Sequence, residues 1–96
     1  MVKHVVCFKL RDNSPSECEK ARDVLLSMRG KVPALLEIEV GVDFLHSPRS
    51  YDIHLEVAVA DKAALEAYQK DPYHCEVVKK HMHAVAESSV AVDWEV

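Results

Sequence analysis

The run Val2-Lys3-His4-Val5-Val6-Cys7-Phe8-Lys9-Leu10 decides how the rest of the chain is read. Val2, His4, Val6, Phe8 and Leu10 share one side of a two-residue period, and Lys3, Val5, Cys7 and Lys9 share the other. That pattern predicts a β-strand with two unlike faces. The first face is apolar apart from His4 and asks for a helical cover. The second mixes charge with Val5 and Cys7, so it is only half suited to water.

Downstream of this strand, Ser14-Pro15 with Glu17 predicts a helix start: a capping hydroxyl, proline at the first helical position and a following carboxylate. Cys18, Ala21, Val24, Leu25 and Met28 form its apolar stripe, opposite Glu19, Lys20, Asp23 and Ser27, and Gly30 suits the left-handed residue that ends it. Val32-Pro33-Ala34 leads into a second predicted strand over 35–44, with Leu36, Ile38, Val40, Val42 and Phe44 on one face. After a polar loop at 46–50, a third strand over 51–60 carries Tyr51, Ile53, Leu55, Val57 and Val59 on its apolar face. Its other face holds Asp52, His54, Glu56, Ala58 and Ala60.

Asp61 caps a short helix containing Ala64, Leu65 and Tyr68, and Asp71-Pro72 stops it and starts another. At about 100° per residue, His74, Val77, Val78, His81, Ala84 and Val85 fall on one stripe of this last helix. Glu76, Lys79, Lys80, His83 and Glu87 fall on the opposite face. Residues 89–96 alternate again, with Val90, Val92, Trp94 and Val96 together.

Strand, helix, strand, strand, helix, strand is the ferredoxin-like βαββαβ order of an α+β fold: a four-stranded antiparallel sheet with helices on one face. Residues 1–96 form one domain. The uncovered face, read as offering Val5, Cys7, Leu35, Ala58, Ala60 and Ala91, is too apolar to be left in water, which predicts a homodimer formed through that face. A 96-residue domain also buries a modest share of its surface and gains from association.

Composition removes other classes of function. The net charge is −4 and no run of Lys/Arg exceeds two residues, which disfavours nucleic acid as a partner. No stretch approaches the ~20 apolar residues needed to span a bilayer, and Lys3, His4 and Lys9 interrupt any signal-peptide core. Cys7, Cys18 and Cys75 lack framework or C-x-x-C spacing and read as reduced thiols of a cytoplasmic protein. No glycine-rich phosphate loop, H-E-x-x-H or cysteine–histidine spacing is present, so neither a cofactor nor a metal is expected.

The opening V-K-H-V-V-C-F-K-L, V-P-A-L, I-E-V-G-V-D-F, Y-D-I-H-L-E-V, A-L-E-A-Y-Q-K-D-P-Y-H and the closing V-A-V-D-W-E resemble the stress-responsive dimeric α/β-barrel (Dabb) family, in register over almost the whole chain. The resemblance implies a ferredoxin-like protomer whose sheet packs on that of a second chain to form a central barrel. The family spans stress-induced proteins, small antifungal proteins and cyclase-type enzymes, so fold alone does not choose an activity.

His4, Tyr68, His74 and His81 could line a pocket between sheet and helices, with Phe8, Leu25, Leu55 and Val78 as its apolar walls. Were those four apolar side chains to fill the space, no room for chemistry would remain. An imidazole can remove a proton near neutral pH and a phenol can hydrogen-bond a carbonyl oxygen, which suits proton abstraction beside a carbonyl. His74, close to a helix N-terminus, should favour its neutral form. In cyclase-type relatives a strand-one histidine and a tyrosine–histidine pair at the helix junction serve the reaction, and the matching residues are His4, Tyr68 and His74. The chain departs from that pattern in two places: Ile53 stands where a pocket-facing histidine is usual, with His54 on the opposite face, and Asp71 replaces the first imidazole of H-P-x-H. Two functions follow: a dimeric domain binding small apolar molecules, or a cofactor-free cyclase or isomerase acting on a carbonyl substrate.

Overall fold

Residues 2–10 form the strand that their alternation predicts, and it lies inside the sheet because both of its edges find partners. A computed structural model describes residues 1–96 and gives an antiparallel sheet in the order β2-β3-β1-β4. The strands are β1 (Val2–Leu10), β2 (Glu37–Val42), β3 (Ile53–Val59) and β4 (Ala86–Glu95). Helices α1 (Pro15–Leu26) and α2 (Lys62–Lys70) cover one face, together with a π-helical stretch, His74–Lys79, that runs directly into α3 (Lys80–Val85). Ile53, Leu55, Val57 and Val59 of β3 meet Leu25, Met28, Tyr68, Val78 and Met82 in a single buried core.

Local chemistry explains most boundaries. The Asp61 carboxylate accepts from the Ala64 N–H at 2.8 Å, capping α2, and Asp71 accepts from the N–H groups of Tyr73 and His74 at 2.8 and 3.2 Å. Gly30 has φ +79°, a left-handed conformation that closes the turn after α1. Asp52, buried beside β3, accepts from the Leu10 N–H at 2.8 Å and from Asn13 Nδ2 at 3.2 Å, tying the end of β1 to the approach to α1. Ser14, expected as a side-chain cap, makes no such bond; its hydroxyl meets that of Ser16, and its N–H donates to Asp12.

Register corrects the reading of the uncovered face. Ala91 pairs with Val6 and so lies on the helix side, whereas Val90, Val92 and Trp94 pair with Cys7, Val5 and Lys3 on the open side. β4 begins at Ala86, with a register irregularity opposite Lys9 and Leu10. Leu35 precedes β2 rather than lying in it and packs against the core. The open face therefore has two halves. β1 and β4 supply Val5, Cys7, Val90, Val92 and Trp94, while β2 and β3 supply Glu37, Glu39, His54 and Glu56 around Lys3. Lys3 pairs with Glu56 at 3.3 Å and Glu37 at 3.9 Å.

The last helix departs from regular α geometry, and one cause accounts for every residue it misplaces. A π-helical stretch bonds i→i+5 and under-winds the chain by about one residue, a phase lag of roughly 100°. Within and beyond it, Val77 and Ala84 turn outward, Met82 comes round to the buried side, and Lys79 and His83, expected on the far face, border the space between helix and sheet.

Candidate functional site

A cavity of about 390 Å³ opens between the helices and the covered face of the sheet. Its volume falls in the lower part of the roughly 300–1,000 Å³ range of small-molecule pockets. Phe8, Leu25, Leu55 and Val78 line this cavity, with Leu25, Leu55 and Val78 almost wholly buried in its floor. Val6 and Met82 extend its apolar wall, and His4, Tyr68 and His74 border it as well. His81 does not: the phase lag carries it away, and its Nε2 is buried without a partner elsewhere on α3. Lys79 and His83 take its place, with Gln69 beside them.

The three predicted residues stand together. The Tyr68 ring lies 4.6 Å from the His74 ring and 5.8 Å, edge-on, from that of His4. Tyr68 is completely buried, and its hydroxyl donates to Met28 Sδ at 3.7 Å. Burial pushes its ionisation well above the ordinary phenol range, so the phenol keeps its proton.

His4 brings a partner that the sequence did not announce. Its Nδ1 is hydrogen-bonded to the carboxylate of Asp93, which faces it across the β1–β4 ladder. A carboxylate accepts only, so Nδ1 carries the proton and Nε2 keeps its lone pair in the neutral ring. Pairing of His4 with Asp93 was hidden because it depends on strand register between residues 89 apart in sequence. Asp93 fits the alternation of the last strand, on the face opposite Val90, Val92 and Trp94, so nothing local in the sequence marks it.

His74 is held below the ordinary imidazole range, first by burial and further by Lys79 and His4, while the Gln69 backbone carbonyl and Asp71 pull the other way. The neutral form is thus favoured as expected, although burial rather than a helix dipole is the main cause. Its Nδ1 is buried with no hydrogen-bond partner. Ile53 is buried in the core, and His54 lies on the open face, its Nδ1 3.8 Å from Cys7 Sγ. No group of three or more His, Cys, Asp or Glu side chains converges in a way that could hold a metal ion. No helix is long and apolar enough to cross a membrane.

Solved structures share this architecture. A dimeric protein of unknown function with a ferredoxin-like fold from Bacteroides fragilis is 28% identical, with a TM-score of 0.79 over 99% of this chain and 95% of its own. A dimeric ferredoxin-like protein of unknown function from Thermobifida fusca is 21% identical, with a TM-score of 0.84 over 99% and 90%. The hydroxynitrile lyase of Passiflora edulis is 17% identical, with a TM-score of 0.81 over 99% and 92%, a likeness of fold. No curated protein matches the sequence. The stress responsive A/B barrel domain profile matches residues 2–96, and the chain belongs to that family.

Proposed function

We propose that the protein is a homodimer whose protomers each bind a small, largely apolar molecule carrying a hydrogen-bonding group. The observation that carries this reading is the open cavity of about 390 Å³, whose apolar walls end on two imidazoles. Apolar walls supply affinity, and a few polar groups fix orientation. The dimer rests on the exposed valines and tryptophan of β4 beside Val5 and Cys7, and on the dimeric state of the Bacteroides and Thermobifida relatives.

The hydrogen bond from His4 to Asp93 favours a second reading, cofactor-free proton transfer beside a carbonyl. Asp93 fixes the tautomer and orientation of His4, leaving Nε2 as the base. Nε2 takes a proton from the carbon next to a ketone, giving an enolate, and returns it to carbon. Because the Tyr68 hydroxyl is engaged by Met28, the carbonyl oxygen falls to His74 in this scheme.

Both readings are tested with 2-acetylnaphthalene. Binding should shift the His4 and His74 ring signals and the Met82 methyl signal in NMR spectra; no shift at saturating ketone would sink the binding reading. In D₂O the catalytic reading expects deuterium to enter the acetyl methyl group faster with protein than without, and His4→Asn to remove that acceleration. Binding without exchange would leave a binding domain and overturn the enzyme.

A further inference from the structure

The walls of the cavity are uncharged but its mouth is not. Among the side chains that border it there is no carboxylate, and Lys79 is the one carrying a permanent charge at neutral pH. Lys79, His83 and Gln69 are exposed, whereas Val78 and Met82 are buried, so the first three mark where the cavity meets solvent. Neither Lys79 nor His83 joins an ion pair, a condition Lys79 shares with most of the chain's Lys and Arg residues, so its ammonium is uncommitted at the cavity mouth. An unpaired lysine at the rim of an apolar cavity, on a chain of net charge −4, is a local reversal of sign.

The backbone makes this arrangement. On a regular helix Lys79 and His83 would point away from a cavity bordered by His74. The π-helical stretch His74–Lys79 turns them toward it, at some cost in hydrogen-bond regularity, and such stretches recur at functional sites.

Building on the binding reading, we infer that the ligand is an amphipathic carboxylic acid, its carboxylate held at the mouth by Lys79 with His83 and its apolar body in the cavity. Lys79 is the one Lys or Arg that borders the cavity, with no arginine fork there, which matches a singly charged head rather than a phosphate.

The test compares 2-naphthoate with its neutral amide, 2-naphthamide, titrated calorimetrically into the intact protein at pH 7, with the His4 ring and Met82 methyl NMR signals reporting where each compound sits. The acid should bind about three- to fivefold more tightly than the amide, the scale expected of one partly exposed ion pair. Added salt should erase that preference. Lys79→Gln should abolish it by weakening the acid more than the amide, and Lys79→Arg should keep it. Equal affinities for acid and amide, or an equal loss of both in K79Q, would overturn the inference and leave the binding reading standing. If neither compound moves the His4 or Met82 signals, the binding reading falls and the inference falls with it.

Discussion

On the helix side of the sheet Ile53, Leu55, Val57 and Val59 are all but inaccessible, while on the opposite side Val90, Val92 and Trp94 keep 50, 62 and 43% of their surface. The residue types hardly differ; what lies over them does. The covered face uses its helices to close a core and to enclose a cavity that ends on His4 and His74. The open face divides along the strand order into an apolar half on β1 and β4 and a charged half on β2 and β3. A second sheet laid on the apolar half of such a face would bury valines against valines, and the carboxylates of the other half would bear on orientation more than affinity.

The sharpest way to break this contrast is Val92→Lys. In a two-fold interface the new charge is buried twice, and an uncompensated buried charge costs about 3–5 kcal/mol each time. The expected outcome is a mass of one chain instead of two by sedimentation at micromolar concentration. A variant that remains dimeric would place the interface elsewhere and make the two faces equivalent in solution. On the covered side the corresponding change is Ile53→Ala, at a residue with 1% exposure. Loss of a buried isoleucine side chain should cost about 2–5 kcal/mol in urea unfolding at fixed protein concentration. A cost below about 1 kcal/mol would mean that the helix layer is not packed as described.

The same contrast shows what could be read in advance. Face assignments within β1 and β3 were legible because a two-residue period needs no partner to be interpreted, and the caps at Asp61 and Asp71 were legible because they are local. Ala91 lies on the helix side, against expectation, because the side of an edge strand is set by its register with β1, a relation across the whole chain. A regular-helix reading misplaces residues from Val77 onward because no pattern in H-C-E-V-V-K distinguishes i→i+5 from i→i+4 bonding; tertiary packing selects it. Helical periodicity accordingly puts His81 at the cavity and Lys79 and His83 away from it, the reverse of their positions, and gives no sign of Asp93. His4, Tyr68 and His74 survived because each precedes the change of phase.

The gentlest probe of the covered face is acid. His74 has an ordinary value of 6.5, which burial lowers in the folded protein. As pH falls below 6.5, the unfolded chain takes up a proton at this residue while the folded chain does not, so the unfolded state binds more protons and stability declines. The decline ends once pH passes below the lowered folded value, where both states are protonated. The contribution of His74 is therefore fully present above the ordinary imidazole range and is lost on the acid side of it. His74→Gln cannot ionise, and its unfolding free energy should depend less steeply on pH below 6.5 than that of the unmodified protein. An unchanged slope would mean that water reaches the His74 ring freely, which would make this end of the covered face resemble the open one.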